Sequence, residues 1–355
     1  MAGDERYERL LEWADGALRH RHGSIEWRIS GLDGDASFRR YFRVELDEAP
    51  HRYLLMDAPP PQEDCRPFVR VAQQLLRHAV PAPAVLAAEL DAGFLLLEDF
   101  GDQLYLQALQ QAVEEQGADG GEPAVELYRR AIDALLRIQP LPTGDLPRYD
   151  RKELHREMGL FDEWFCGGLL EQPVEGDRRE LLETVYRELE DSALAQPQVF
   201  VHRDFHSRNL MRRRQDPDGL PGVIDFQDAV CGPVTYDPVS LLRDCYIVWP
   251  AERVEAMALY YRDELIRQGV VAKYGDEAFL RDFDLMGLQR HIKVLGIFSR
   301  LWLRDGKSRY LEDLPVVIDY VRTVSARYPS LEAFHNWFAG ELAPRAERRL
   351  AELRA

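Results

Sequence analysis

The sequence predicts an α+β protein of two lobes: a small antiparallel β-sheet lobe with one crossing helix over residues 1–100, then a larger, mainly helical lobe over residues 101–355. Three observations carry that expectation. Apolar residues recur at a strand period through much of the first hundred positions. From residue 102 onward the period becomes that of helices. The length, 355 residues, exceeds what a single short module needs.

In order along the chain, Tyr7, Leu10, Leu11, Ala14 and Leu18 fall at helical spacing between Asp4 and about His22, and Gly23 is a C-terminal stop. Ile25, Trp27 and Ile29 alternate, Gly31 to Asp35 interrupt, and Phe38, Phe42 and Val44 resume before Tyr53-Leu54-Leu55-Met56. These read as three antiparallel strands. Pro67 at a first helical turn, with Phe68, Val71, Leu75 and Leu76 behind it, marks the crossing helix. Val85–Leu90 and Phe94–Leu97, joined through Asp91-Ala92-Gly93, form a hairpin, which completes five strands. Helix-period stretches then run around 102–115, 123–139, 150–170 and 177–195. Three short apolar pieces, Val199–Val201, Asn209–Met211 and Val223-Ile224, interrupt them. Short strands among helices commonly carry loops that do chemistry.

Composition narrows the function. With 45 basic and 62 acidic residues the net charge is −17, which opposes attraction to nucleic acid and to anionic lipid. No apolar run approaches the roughly 18 residues of a membrane span, and Met1-Ala2-Gly3-Asp4-Glu5-Arg6 lacks the basic start of a signal peptide. The expectation is a cytoplasmic protein without nucleic-acid, membrane or obligate protein partners. Cys65, Cys166, Cys231 and Cys245 form no CxxC pair and read as reduced thiols, a structural zinc being the weaker alternative. Lysine is scarce: only Lys152, Lys273, Lys293 and Lys307 occur, none in the first 151 residues.

The dense stretch is Val201-His202-Arg203-Asp204-Phe205-His206-Ser207-Arg208-Asn209-Leu210, followed by Val223-Ile224-Asp225-Phe226-Gln227-Asp228. It holds what magnesium-assisted phosphoryl transfer requires: a carboxylate to accept the proton of an attacking hydroxyl, and an amide oxygen with a second carboxylate to hold Mg²⁺. Asp204 is the candidate base, and Asn209 and Asp225 are the candidate metal ligands. Asp204 and Asn209, five apart on one loop, can face one cavity. Asp225, at the end of the next strand, can close it. An N-cap Asp204, a turn-forming Asn209 and a buried Asp225 would explain each residue singly but the set poorly.

On these residues the sequence resembles the aminoglycoside phosphotransferase-like small-molecule kinases, relatives of the protein kinases, over essentially its whole length. Gly232-Pro233 and Tyr236-Asp237-Pro238 extend the likeness beyond the metal-binding segment. The resemblance implies a protein-kinase-like fold using ATP and Mg²⁺, with Asp204 as base, Asn209 and Asp225 on the metal, and Asp237 as a structural acceptor supporting the loop. It also implies that His202 packs rather than shuttles protons, and that Leu97-Glu98-Asp99-Phe100-Gly101 is a hinge receiving adenine, which makes Glu98 and Phe100 nucleotide-binding candidates.

Two departures stand out. Gly31-Leu32-Asp33-Gly34-Asp35-Ala36-Ser37 has too few glycines for a G-x-G-x-x-G phosphate loop, so Ser37 is a weaker phosphate candidate. Met56 stands where kinases place their phosphate-binding lysine. Arg39, Arg40 and Arg43 are the available cations; Arg39 and Arg43 belong to one strand face and Arg40 to the other.

Only 12 positions separate Asp225 from Asp237, too few for a peptide-docking platform, so the acceptor is expected to be a small molecule. Between Arg290 and Arg309 six basic residues face one acidic residue, a local excess of +5 that favours an anionic or neutral acceptor and makes Arg300 and Arg304 substrate candidates. A solvated helix face explains the same run equally well. Within the superfamily, the stretches Gly31–Arg43, Leu55-Met56-Asp57-Ala58-Pro59-Pro60 and Ser240–Tyr246 are most similar to the bacterial anomeric kinases for N-acetylmuramate and N-acetylglucosamine of cell-wall recycling. That likeness implies an amino-sugar acceptor phosphorylated to its 1-phosphate. Kinases for aminoglycosides, choline, homoserine or fructosamine, and a nucleotide-binding pseudokinase, are the alternatives. Tyr246, Trp249 and Trp302 could line an acceptor pocket, though helix core is the commoner fate of such residues.

Overall fold

The structure, a computed structural model, describes residues 5–32, 38–47 and 52–354. The first helix, α1 (Glu5–His22), leads into β1 (Trp27–Leu32), β2 (Arg40–Leu46), β3 (Arg52–Asp57), α2 (Arg66–Arg77), β4 (Val85–Glu89) and β5 (Phe94–Glu98). Next come α3 (Tyr105–Gln116), α4 (Gly121–Ile138), α5 (Arg151–Leu160) with a π-helical continuation Phe161–Leu169, and α6 (Gly176–Ala195). Four short strands follow: β6 (Gln198–Val201), β7 (Leu210–Met211), β8 (Gly222–Val223) and β9 (Val230–Pro233). Helices α7 (Tyr236–Leu242), α8 (Ala251–Arg267), α9 (Asp276–Leu303), α10 (Tyr310–Ser325), α11 (Glu332–Trp337) and α12 (Ala343–Arg354) close the chain. No helix among the described residues is long and apolar enough to cross a membrane.

Two compact units emerge. One comprises Met1–Tyr105 with Asn209–Asp228, the other Leu106–Arg208 with Ala229–Ala355. The first is thus the N-terminal segment joined by a hairpin from far along the sequence. Its sheet is antiparallel in the order β1-β2-β3-β5-β4. Leu10, Ala14 and Leu18, one turn apart, bury one stripe of α1, and Ala14 and Leu18 pack on Val44, Leu46, Tyr53, Leu55 and Leu96 of the sheet. Gly23, at φ +79°, ends the helix by donating to the Arg19 carbonyl at 2.8 Å. Phe38 departs from the expected strand: it is 68% exposed, because β2 starts only at Arg40.

In the second unit the core surrounds α9, whose middle turns are buried. The expected single helix over 150–170 instead changes to π-helical geometry at Phe161. At that junction α9 comes close: a Cβ on Gly296 would stand 2.3 Å from the Leu160 carbonyl carbon, so only glycine fits. This approach sets α9 against α5, and two of its buried cations, Arg290 and Lys293, become part of the site.

Candidate active site

Asp204 lies on the loop after β6 in the second unit. Asp237, fully buried in the first turn of α7, accepts backbone N–H groups from His202 at 2.7 Å and Arg203 at 3.0 Å. Arg203 holds a left-handed φ of +79°, a conformation that persists in a non-glycine residue only when its surroundings enforce it. His202 is fully buried and packs edge-on against Phe205, with ring centroids 5.7 Å apart. Burial drives the Asp237 carboxyl up to about 7, against the two N–H donors that pull it down.

The Asp204 side chain itself remains 47% exposed, so its carboxylate is reachable. Desolvation pushes its pKa up, but the positive charges of Lys293, Arg290 and Arg203 outweigh that effect and hold it below the ordinary carboxylate range. The Arg290 guanidinium stands 3.8 Å from Asp204 and donates to Ser240 Oγ at 2.6 Å. Lys293 bonds Glu157 at 2.9 Å and the Tyr236 hydroxyl at 3.0 Å. Burial lowers His206 to about 3, which keeps it neutral near pH 7. Sequence reasoning missed Glu157 and Tyr236, and treated Arg290 and Lys293 only as part of a charge run. The lysine count was the available signal, because one of the four lysines is buried here.

The other two motif residues lie in the first unit. Asn209 Nδ2 donates to Asp225 Oδ2 at 3.3 Å, the Ile224 amide donates to the Asn209 carbonyl at 3.1 Å, and Gln227 Nε2 donates to both Asp225 Oδ1 (2.9 Å) and Asp228 Oδ2 (3.2 Å). Asp225 is exposed at a left-handed φ of +64°. An amide oxygen with one or two reachable carboxylates is the hard-oxygen set that Mg²⁺ takes when phosphates and water supply its other ligands. No group of three or more His, Cys, Asp or Glu that could hold a metal ion occurs among the described residues.

The cations of β2 separate. Arg40 bonds Asp57 through two nitrogens, at 2.9 and 2.6 Å, on the α1 side, where Arg6 grips the same carboxylate at 2.5 Å. Arg43 faces the other way and clamps Asp99 at 2.8 Å, Asp102 at 2.5 Å and the Gly101 carbonyl at 3.3 Å, bracing the segment after β5. Arg39 pairs with Glu63 at 2.9 Å, and it hydrogen-bonds Tyr41, a hydroxyl that also senses the charge of Asp225. Of the three, Arg39 is therefore placed in the neighbourhood of the metal-ligand candidates, with Tyr41 and Glu63 as members that the sequence did not disclose. Met56 is fully buried between Tyr41 of β2 and Leu95 of β5. Ser37 and the Asp33–Ser37 loop lie outside the described residues.

Glu98 ends β5, its amide donating to the Ala84 carbonyl at 3.0 Å. Phe100 is buried against Gly222, where a Cβ would stand 2.4 Å from the ring, and its carbonyl accepts the Arg214 amide at 3.0 Å. Its side chain is thus core, and any contact with adenine falls to the backbone.

Of the candidate acceptor residues, Arg300 lies ten residues beyond Arg290 on α9, about 15 Å further along the helix by its rise, and Arg304 is the cap residue just past its end. Arg304 is exposed and paired with its neighbour Asp305 at 2.7 Å. Tyr246 is the aromatic that reaches the Asp204 loop, 5.4 Å from the His206 ring and 4.8 Å beneath the Arg208 guanidinium. Asp244 pins that turn by accepting from Ser207 Oγ at 2.7 Å and from the Tyr246 and Ile247 amides at 3.0 Å. Trp249 is core instead, donating to the Tyr128 hydroxyl at 2.6 Å, and Trp302 packs on the helical core.

Residues 28–272 match the phosphotransferase enzyme family, to which the chain therefore belongs. It is 43% identical over 335 residues to the N-acetylmuramate/N-acetylglucosamine kinase of Pseudomonas putida, covering 92% of this chain and 94% of that one. It is likewise 43% identical over 338 residues to the Pseudomonas aeruginosa protein of the same name, covering 93% and 95%. The fold matches that of the ADP-bound aminoglycoside phosphotransferase APH(2'')-Ib, at a TM-score of 0.54 and 16% identity over 90% of this chain and 97% of the other. The protein is a kinase-like phosphotransferase.

Proposed function

We propose that this protein transfers the γ-phosphoryl group of ATP to the anomeric hydroxyl of N-acetylmuramate and/or N-acetylglucosamine, giving the sugar 1-phosphate for cell-wall recycling in the cytoplasm. The observation that carries the proposal is the reachable carboxylate of Asp204 on a loop fixed by Asp237, followed five residues later by the Asn209–Asp225 oxygen pair. The relatives' names supply the acceptor.

Asp204 accepts the anomeric proton as the sugar oxygen attacks the γ-phosphorus. The P–O bond to the bridging oxygen breaks, and ADP leaves with the electron pair. Asn209 and Asp225 would hold Mg²⁺, which when bound draws negative charge from the phosphate oxygens. Arg39, oriented by Glu63 and Tyr41, takes the part of the missing lysine. Arg40 and Arg43 act on Asp57 and on the Asp99–Asp102 segment rather than on phosphate. The backbone of Glu98–Gly101 receives adenine. For the lactyl carboxylate of N-acetylmuramate we assign Arg208, on the same loop as Asp204, in preference to Arg300 and Arg304.

The test is incubation of the purified protein with MgATP and a panel of amino sugars, amines and aminoglycosides, followed by phosphorus NMR and mass analysis of products. An anomeric phosphate signal from either amino sugar is the expected result. Phosphorylation of an amine-bearing antibiotic or of choline with the sugars untouched would overturn the acceptor, and nucleotide binding without any product would overturn the activity.

A further inference from the structure

Glu157 on α5 is 2% exposed, yet it sits among donors from three other parts of the second unit. It accepts from the Tyr149 hydroxyl, from the Arg203 guanidinium and from Lys293 Nζ at 2.9 Å, with Arg156 a further 3.8 Å contact. Tyr149 is itself buried and receives a hydrogen bond from Gln289 of α9 at 3.1 Å. A lone buried carboxylate would be costly, whereas this one is matched by two cations and a hydroxyl. Both cations adjoin the Asp204 loop. Arg203 precedes Asp204 in sequence, and Lys293 also donates to Tyr236, the residue before Asp237.

We infer that Glu157 is a positioning residue for phosphoryl transfer: by holding the Arg203 side chain while Asp237 holds its backbone, it fixes the left-handed turn that presents Asp204, and by neutralising Arg203 and Lys293 it sets the charge around that base. The loop is held from both sides. The Arg203 and His202 amides end on Asp237, and the Arg203 guanidinium ends on Glu157, so neither rotation about the backbone nor swinging of the side chain can displace Asp204 without breaking a buried hydrogen bond or the ion pair. Such prior fixing of a reacting group is worth orders of magnitude in rate, since small displacements forfeit attack geometry. This inference rests on the assignment of Asp204 as base.

The test compares wild type with Glu157→Gln, Lys293→Met and the double variant, in steady-state kinetics with MgATP and each amino sugar, with thermal unfolding recorded for each. For Glu157→Gln, kcat is expected to fall about tenfold or more while both KM values stay within about twofold. Gln leaves two cations unmatched, so adding Lys293→Met is expected to return part of the lost kcat. A kcat within about twofold of wild type in folded Glu157→Gln overturns the inference, as does a loss that Lys293→Met leaves untouched. Should Glu157→Gln not fold, Arg203→Gln reads the same coupling from its partly exposed end: the same kcat loss supports the inference, and an unchanged kcat overturns it. If wild type itself transfers no phosphate to either sugar, the proposed function fails, whatever the variants do.

Discussion

Asp204 and Asp225 are both carboxylates in short loops that follow strands, and both neighbourhoods contain a non-glycine residue at positive φ, yet the protein surrounds them in opposite ways. Around Asp204 the second unit builds buried charge: Asp237, Glu157, Lys293 and Arg290 are all less than a tenth exposed. Around Asp225 the first unit offers exposed carboxylates, Asp225 and Asp228, and the half-buried amides of Asn209 and Gln227, both of which bond Asp225. A proton acceptor benefits from being fixed before substrate arrives, while groups that take a hydrated cation must stay accessible to water and phosphate. The comparison teaches that the chain invests its rigidity in the proposed base.

The sharpest way to break that comparison is to neutralise each carboxylate in turn. Asp204→Asn is expected to lower kcat by about 10³-fold, within the range for a lost general base, with KM for ATP little changed. Asp225→Asn is expected to cost at least as much, but in a way that added magnesium partly restores. Steady-state kinetics over a magnesium titration check both. If magnesium restores Asp204→Asn rather than Asp225→Asn, the two roles are exchanged.

The next effect divides the β2 arginines. Arg39→Ala is expected to reduce kcat/KM for ATP by roughly ten- to a hundredfold, as loss of a phosphate cation in a half-enclosed site does. Arg40→Ala should instead lower Tm, by losing one of two cations on the buried Asp57, with little change in KM for ATP. Equal kinetic losses from both would remove Arg39 from its assigned place.

These arginines also show how far the sequence could be read. Alternation along β2 correctly put Arg40 on the face opposite Arg43, since the strand period fixes faces. The five-strand sheet with its helices, the helical second half and three of the four short strands flanking the motif, all but β9, were equally legible, because periodicity and turn residues are local signals. What stayed hidden depends on contacts between distant segments. Glu63 against Arg39 spans 24 residues and Glu157 against Lys293 spans 136, and nothing in local composition announces either pair. The same holds for Arg300 and Arg304: a charge run says that cations are near one another, not which turn of the helix meets the loop.

A smaller effect is read in pH. Because Lys293 and Arg290 depress Asp204 despite its desolvation, the proposed base is ionised throughout the neutral range, and the acid limb of kcat/KM is expected below the ordinary carboxylate range. For stability the sign is the same: ionised Asp204 contributes above the unfolded carboxylate pKa of about 3.9, and the contribution is lost as pH falls through the lower folded value. Lys293→Met removes the strongest attractive charge, so desolvation gains weight and the acid limb moves up. Profiles of kcat/KM against pH in overlapping buffers check this. A limb that moves down, or not at all, would separate Lys293 from the base.

The mildest expected change concerns acceptor choice, and it extends the comparison to the rim of the fixed loop. Arg208 belongs to the catalytic loop and lies over Tyr246, whose turn Asp244 ties back to Ser207 of that loop, so a carboxylate bound there is positioned by the same framework as the base. Arg304 is exposed, and a pair such as Arg304 with Asp305 has little energy to contribute. Arg208→Ala is therefore expected to lower the preference for N-acetylmuramate over N-acetylglucosamine about tenfold, roughly the worth of one charge-assisted bond, while Arg300→Ala and Arg304→Ala each shift it less than about twofold. The ratio of kcat/KM values for the two sugars is the quantity to measure, because a general disturbance of the loop lowers both and cancels in the ratio. A preference that survives Arg208→Ala but falls with Arg300→Ala would move the acceptor's carboxylate down α9, away from the loop that the second unit is built to hold.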